Sequence, residues 1–294
     1  MTEPSVRIAA QAKLNLHLRV LAREETGYHS IETIFHRIDL ADDLVITITA
    51  GERTLDVHGA GTGPVESNLA YRAATAFADH SGWPRGFRIE LEKKIPVGAG
   101  LGGGSADAAA VLRALNSLSP QPIPQAGLLY IASQLGADIP FLASGSVMAL
   151  AWGRGERMLD LLPLPRRDIL LMTPEFSVST ADAYRWLDED RDAQTPQAIP
   201  IAIDRIALTT WEAVTAFARN DFEAAVMTRH PRLEGYLEAL RRSRATFAAM
   251  TGSGSTIFGV LDSPARFAKI PAEHRGNVIT TKTSIDVVQP LRVG

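Results

Sequence analysis

The chain contains no cysteine. That absence removes disulfides, cysteine-ligated zinc and a thiol nucleophile together, and it fits the reducing cytoplasm. No run of about 18 apolar residues occurs, so no membrane association through a spanning helix is expected. Residues 1–10 carry an acid and a proline early and lack the apolar core of a signal peptide. Basic charge is not in excess: 30 Lys and Arg stand against 33 Asp and Glu, for a net charge of −3. A polymeric nucleic-acid partner would need a basic footprint, which is missing. The seven histidines are scattered without metal-ligand spacing, so a metal would be held through oxygen ligands. Hydrophobic content of 46% and charged content of 21% are those of a globular protein. A chain of 294 residues can form one large domain or two ordinary ones. Monomer and homodimer are both open.

Glycine, by contrast, is concentrated. Residues 96–110 read Pro-Val-Gly-Ala-Gly-Leu-Gly-Gly-Gly-Ser-Ala-Asp-Ala-Ala-Ala, with five glycines in the seven positions 98–104. Glycine loses the most backbone freedom on folding, so the cluster implies that the backbone itself approaches something closely. The alanine-rich run behind it reads as a helix, aiming free N–H groups and a positive dipole end at the loop. Phosphate is the usual guest of such a site. The Walker pattern fails, because Ser105 follows the last glycine with no lysine. Gly98, Gly100 and Gly103 satisfy G-x-G-x-x-G. The acid that a dinucleotide fold wants about 20 residues further on is replaced by Ser119-Pro120-Gln121-Pro122. Neither H-R-D nor D-F-G occurs, against a protein kinase. The apolar runs Leu91–Val97 and Ala106–Leu115 flank the loop, against a flexible linker.

Period-two alternation predicts a strand over Val6–Leu21, with Lys13 and Asn15 on one face and the leucines on the other. Two further strands are expected over Ile31–Leu40 and Asp43–Ala50. A helix follows over Asn68–His80, capped near Ser67 or Asn68. Next come a strand over Phe87–Ile95, helices over Ser105–Leu118 and Pro124–Leu135, and a strand over Gly145–Ala151. Pro163-Leu164-Pro165-Arg166-Arg167 is the expected seam, giving domains over 1–162 and 163–294. Beyond it the reading is a strand over Asp168–Thr173, a helix over Thr180–Glu189 and a loose loop over Asp192–Pro200. A helical stretch from Ala207 to Arg242 comes next. Strands over Phe247–Met250, Thr256–Leu261 and Val278–Thr283 close the reading. Strands and helices interleave without strict alternation, which argues for an α+β fold.

Phosphoryl transfer to an alcohol needs a triphosphate cradle, charge neutralisation, a proton acceptor and an acceptor pocket. Glycines 98, 100, 102, 103 and 104 with Ser105 are candidates for the cradle, although Ser105 also reads as a plain helix N-cap. Asp138, in Gly136-Ala137-Asp138-Ile139-Pro140-Phe141, is the candidate base; as a loop residue it also reads as a turn former. Ile139, before proline, is expected to be extended. Lys13 reads either as a solvated strand charge or as a partner that keeps a carboxylate ionised. Tyr28 and His29 suit a nucleobase or an ordinary packed turn.

The motifs together resemble the GHMP kinases, the superfamily of galactokinase and of homoserine and mevalonate kinases. Residues 96–105 are similar to the second motif of that superfamily, Ala12-Lys13-Leu14-Asn15-Leu16 to the first, and Thr251-Gly252-Ser253-Gly254-Ser255-Thr256 to the third. Gly136–Phe141 resembles its Gly-Ala-Asp-Val-Pro-Phe. Gly27-Tyr28-His29 resembles a segment found in one branch, whose acceptor is 4-diphosphocytidyl-2-C-methyl-D-erythritol of the non-mevalonate isoprenoid route. The resemblance implies two halves, one like the second domain of ribosomal protein S5 and one ferredoxin-like, with the site between them. It implies ATP and Mg²⁺ as cofactors and phosphorylation of the acceptor's 2-hydroxyl. Asp138 would be the catalytic base with Lys13 beside it. Pro96, Val97, Gly98, Ala99, Gly100, Leu101, Gly102, Gly103, Gly104, Ser105 and Ala106 would hold ATP phosphates, with Asn68 and Lys93 near the nucleotide. Asn15, Tyr28, His29, Tyr184, Gly252, Ser253 and Gly254 would meet the acceptor, Tyr28 or His29 and Tyr184 facing its cytosine. Metal ligands are not identified beyond Asp138 as a carboxylate in the right place. A kinase of the homoserine or mevalonate type, or a non-catalytic ATP-binding regulator, is the alternative.

Overall fold

The computed structural model describes residues 3–25, 27–59, 63–192, 208–262 and 278–293. The first part of the chain runs β1 (Ser5–Arg23), β2 (His29–Thr49), β3 (Arg53–His58), α1 (Leu69–Ser81), β4 (Gly86–Glu92) and α2 (Gly103–Leu118). It continues through α3 (Gln125–Leu135), α4 (Ile139–Ala143), β5 (Met148–Gly153) and β6 (Arg157–Leu161). The second part runs β7 (Asp168–Met172), α5 (Thr180–Asp192), α6 (Trp211–Phe217), α7 (Phe222–Arg229) and α8 (Arg232–Arg242). It closes with β8 (Phe247–Met250), β9 (Ile257–Leu261), β10 (Val278–Lys282) and β11 (Leu291–Val293).

Two sheets result. One has the order β11-β1-β2-β4-β3, with β5 and β6 branching from β2. The other has the order β10-β7-β9-β8, all neighbours antiparallel. Numbered within its own half, that order is 4-1-3-2, the ferredoxin-like arrangement. The fold is α+β, as the unstrict alternation implied. The last strand, β11, pairs with β1 in the first sheet.

Where two strands were expected over 31–50, the chain forms a single strand, β2. It pairs with β5 over Ile31–His36 and with β4 over Asp43–Thr49. The polar Asp39-Leu40-Ala41-Asp42 break in its pattern marks a change of partner rather than an end. Strands β3, β6 and β11 and helix α4 had no counterpart in the sequence reading. Residues 193–200 of the expected loop, and Ala207, lie outside the described residues. Ile139 is not extended but opens α4, because Pro140 is tolerated in a first helical turn, where its missing N–H costs nothing.

β1 is buried on both faces from Ala10 to Leu18. The alternation marks a half-exposed strand, but α2 covers one face and the second sheet with its helices covers the other. Helix α2 is buried nearly all round, and its alanines let β1 and α1 approach closely without loss of rotamer freedom. Across the seam, Leu18 donates its N–H to Arg219 O at 2.7 Å and accepts from Asp221 N at 2.9 Å. Buried Gln11 donates to Ser284 Oγ at 3.0 Å and to Asp286 O at 3.1 Å.

Two histidines sit in these packed regions. Burial pushes His36 down to about 4, against a hydrogen bond from its Nδ1 to Arg37 O that acts the other way. Burial, with the charges of Arg219 and Arg19, likewise pushes His17 down to about 4. Both are therefore neutral in the fold while an unfolded histidine binds a proton below about 6.5. The stability they contribute is complete above that value and is lost as the pH falls from there towards 4, by up to about 3 kcal/mol per pH unit for the two together. Urea unfolding followed by circular dichroism between pH 7 and 4.5 should show this loss, with a shallower slope in His36→Phe.

Candidate active site

Six stretches of the first part of the chain and three of the second converge on one cleft of about 520 Å³. Its floor is the glycine loop. Gly98, Gly100 and Gly102 have φ of 69°, 79° and 72°, so the chain zigzags through the left-handed region at alternate residues. At Gly100 a Cβ would stand 2.3 Å from Thr251 O and 2.9 Å from Gly254 O, and at Gly102 it would stand 2.9 Å from Lys13 Cε. Ala99 has no positive φ, so its methyl is accommodated. The N-cap of α2 is Gly102, not Ser105, which lies in the first turn. Ala106 N–H makes the helix's first bond, to Gly102 O at 2.8 Å. The N–H groups of Gly103, Gly104 and Ser105 thus have no partner within the helix, and all three residues line the cleft. Helix α1 also begins there. Asn68 caps it, accepting from Ala70 N at 2.9 Å.

Lys13 and Asp138 meet above that floor. Lys13 Nζ is 3.2 Å from Asp138 Oδ2 and donates to Asn15 Oδ1 at 2.6 Å. Register shifts in the β1–β2 ladder flank the Lys13–Asn15 segment on both sides. Such bulges re-aim side chains, and here they serve the one polar stretch in a buried strand. Asn15 is fixed in turn: Nδ2 donates to Thr33 Oγ1 at 2.8 Å, and its N–H to Thr251 Oγ1 at 3.0 Å. The lysine side chain is 3% exposed and the aspartate 30%, so the carboxylate is the member open to a ligand.

Lys93 is held differently. Its ammonium, 2% exposed, lies 2.5 Å from Asp42 Oδ2 and 2.7 Å from Asp107 Oδ2. Asp42 Oδ1 also accepts from Lys94 N and Ile95 N. One lysine cannot neutralise two buried carboxylates. Burial therefore pushes Asp107 up to about 7, Lys93 opposing and Asp42 adding to the rise. Lys93 reaches the cleft only as part of its base, and its hydrogen-bonding capacity goes to these two acids.

The opposite end of the cleft is aromatic. The ring of His29 stacks on Tyr184 at 4.6 Å, and Phe222 meets Tyr184 edge-on at 4.8 Å. His29 Nε2 lies 2.9 Å from Asp188 Oδ1. Burial, with the charges of Asp138 and Asp188, pushes the Tyr184 phenol up to about 12, so it stays protonated. Tyr28 points elsewhere: it is 60% exposed, with the Arg154 guanidinium 4.0 Å over its ring.

Lys13, Asn15, Asn68, Lys93, Pro96, Val97, Gly98, Ala99, Gly100, Gly102, Gly103, Gly104, Ser105, Asp138, Tyr184, Gly252, Ser253 and Gly254 all line the cleft. Leu101 and Ala106 are instead buried beneath it. Tyr28 and His29 stand behind its wall, represented in it by Arg154 and Tyr184. The sequence reading missed Asp107, Asp42, Asp188 and Asn220. Asn220 Nδ2 donates to Met250 O and Gly252 O, each at 2.8 Å, and so holds the second glycine loop. Asp107 stands inside the 96–110 stretch, where an acid in an alanine helix was the signal; Asp42, Asp188 and Asn220 stand in no motif.

A two-sheet α+β frame with a glycine loop at a helix start, set against a second glycine loop, is the architecture of the GHMP kinases. Residues 68–170 match the GHMP kinases N terminal domain, and residues 210–277 match the GHMP kinases C terminal family. The 4-diphosphocytidyl-2-C-methyl-D-erythritol kinase of Pelotomaculum thermopropionicum is 37% identical, over 93% of this chain and 96% of that one. The enzyme of the same name from Deinococcus radiodurans is 40% identical, over 87% and 84%. A crystal structure of 4-(cytidine 5'-diphospho)-2C-methyl-D-erythritol kinase superposes with a TM-score of 0.77 at 34% identity, over 95% of this chain and 99% of that one. The homoserine kinase of Cytophaga hutchinsonii shares the fold, with a TM-score of 0.67 at 18% identity over 100% and 98%. The chain belongs to the 4-diphosphocytidyl-2-C-methyl-D-erythritol kinase family.

The contact between the two loops gives a test of the cleft floor. Gly100→Ala needs both a left-handed alanine and a shift of the Thr251 carbonyl. At Gly104 a Cβ would meet only Leu69 Cδ1, at an ordinary 3.5 Å. Differential scanning fluorimetry should show Gly100→Ala melting several degrees lower and Gly104→Ala unchanged or higher.

Proposed function

We propose that the chain transfers the γ-phosphoryl group of ATP to the 2-hydroxyl of 4-diphosphocytidyl-2-C-methyl-D-erythritol. GHMP kinases take their phosphoryl group from ATP. The observation that carries the reading is the Lys13–Asp138 pair, 3.2 Å apart, at the mouth of a glycine loop backed by free helix N–H groups. In this reading the N–H groups of Gly103, Gly104 and Ser105 hold phosphate oxygens, aided by the positive end of α2. Asp138 accepts the hydroxyl proton as the oxygen attacks. Lys13 pairs with the carboxylate beforehand and steadies the developing oxyanion. Asn15, gripped by Thr33 and Thr251, fixes the ammonium's direction.

Mg²⁺ bound with ATP supplies charge neutralisation at the phosphate oxygens. The residues fit an ion of that kind: the Ser105 hydroxyl and the open Asp138 carboxylate are hard oxygen donors beside the phosphate position. Among the described residues no group of three or more His, Cys, Asp or Glu could hold an ion without substrate oxygens. At the other end, His29, Tyr184 and Asp188 suit a cytosine. Tyr184, which lines the cleft, offers ring surface to the base, and His29 behind it stacks on that ring with Nε2 against Asp188. Homoserine and mevalonate have no ring to use this end of the cleft. Among the described residues no helix is long and apolar enough to cross a membrane, and a cytoplasmic enzyme acting on a small molecule is the reading we adopt.

ADP release with ATP, Mg²⁺ and 4-diphosphocytidyl-2-C-methyl-D-erythritol tests the proposal. Release should require the acceptor. Asp138→Asn should lower kcat by about 10²–10⁴-fold, with the Kd for ATP within about threefold by calorimetry. Turnover with homoserine or mevalonate and none with the cytidyl acceptor would sink the substrate assignment. A second variant reads the aromatic end: Asp188→Asn should raise KM for the acceptor about tenfold or more, the worth of one charge-assisted hydrogen bond, and leave KM for ATP unchanged.

A further inference from the structure

Arg37 is among the largest fully buried side chains of the protein, yet among the described residues no carboxylate pairs with it. A buried cation persists only where fixed dipoles replace its water. Here four carbonyls do so. Nε donates to Ser146 O at 2.8 Å, and Nη2 to Phe141 O, Leu142 O and Ser144 O at 3.0, 2.9 and 3.2 Å. These are the last carbonyls of α4 and those just beyond it, where a helix gathers negative partial charge. The residue at the N-cap position of α4, just before Ile139, is Asp138. A five-residue helix has too few internal bonds to hold itself, so its setting comes from what grips its end.

The grip is shared with Lys13. Lys13 and Arg37 are Cα partners across the β1–β2 ladder. From that one rung Lys13 reaches Asp138 at the start of α4, and Arg37 reaches the carbonyls at its end. Between the two cations lie two stacked rings. The Arg37 guanidinium sits 5.1 Å from the Phe141 centroid, Phe141 stacks on Phe35 at 4.9 Å, and Lys13 Nζ sits 5.6 Å from the Phe35 centroid. Guanidinium, two rings and ammonium form one column. A shift of α4 breaks contacts at both ends of it.

We infer that Arg37 is a positioning residue for phosphoryl transfer, holding α4 so that the Asp138 carboxylate stays against Lys13. This rests on Asp138 being the base. A lysine at position 37 keeps the charge but loses the fork that spans four carbonyls. A shift of α4 carries Asp138 away from Lys13, and so slows transfer without removing a residue that binds either substrate.

The test is kcat in Arg37→Lys at saturating ATP and acceptor, expressed per ATP site counted by calorimetry. Expected are a fall in kcat per site of at least tenfold and KM values for both substrates within about threefold. A role in stability alone lowers the number of ATP sites and leaves kcat per site unchanged. Should Arg37→Lys fail to fold, Phe141→Leu breaks the column while leaving the carbonyl bonds, and the same fall is expected. Parent activity with a variant kcat per site within about threefold of it overturns this inference alone. No acceptor-dependent ADP release from the parent overturns the kinase reading, and this inference with it.

Discussion

The cleft depends on two glycine loops lying backbone against backbone. Gly100 carries no side chain because the carbonyls of Thr251 and Gly254 fill the space, and Gly252 carries none because Gly100 O does. The Thr256 N–H reaches Ala99 O at 3.3 Å across the same contact. One loop belongs to the first sheet's layer and the other to the second, so this approach sets the distance between the two halves. A single methyl at either glycine would hold them apart. The loops are therefore glycine-rich for two reasons at once: close approach to each other and, on the proposed reading, close approach to phosphate. Sequence inspection alone cannot separate these. The structure assigns Gly100 and Gly252 to the first and leaves the N–H groups of Gly103 and Gly104 for the second.

The legible parts of this protein were those written in local chemistry. The glycine loop, the helix behind it, the strand carrying Lys13 and Asn15, and the cap at Asn68 all follow from spacing and residue type within a few positions. The unread parts depend on partners far along the chain. β11 is a strand because β1 offers a free edge far earlier in the chain, Arg7 pairing with Leu291 in that register. β2 reads as two strands because its middle is polar, and only the change of partner from β5 to β4 explains why it does not end. Tyr28 and His29 are neighbours of one chemical kind, and which of them turns inward is decided by Tyr184 and Asp188 on α5. The Asp42–Lys93–Asp107 cluster joins residues 51 and 14 positions apart, and only Asp107 lies in a motif.

Two lysines stand near the same loop, and their surroundings divide the work. Lys93 has two carboxylates, each almost fully buried, so its charge is overmatched where it lines the cleft base. It pins the end of β4 to the first turns of α2, which fixes where that helix begins. Lys13 has one carboxylate, itself partly open to the cleft. Its charge is balanced without being consumed. A substrate oxygen arriving at Asp138 meets an ammonium whose place is already set by Asn15, by the Phe35 ring and by the Gly102 backbone, against which it packs. Preorganisation of this kind lowers the barrier because the dipoles need not move when charge develops.

On the proposed reading, specificity and chemistry lie at opposite ends of the cleft, and they rest on different elements. The phosphate end is made from β1, the α2 start and the two glycine loops, the parts that define the two-sheet frame. The homoserine kinase structure with an identity of 18% and a TM-score of 0.67 shares that frame. The aromatic end is made from the entry of β2 and one face of α5, joined by His29, Tyr184 and Asp188. Neither segment contributes to the loop contact that spaces the two halves. Side chains there can change without disturbing Lys13 or Asp138, so a new acceptor can be accommodated at one end while the transfer geometry is kept at the other. The frame therefore constrains what happens to the γ-phosphoryl group far more tightly than it constrains which alcohol receives it.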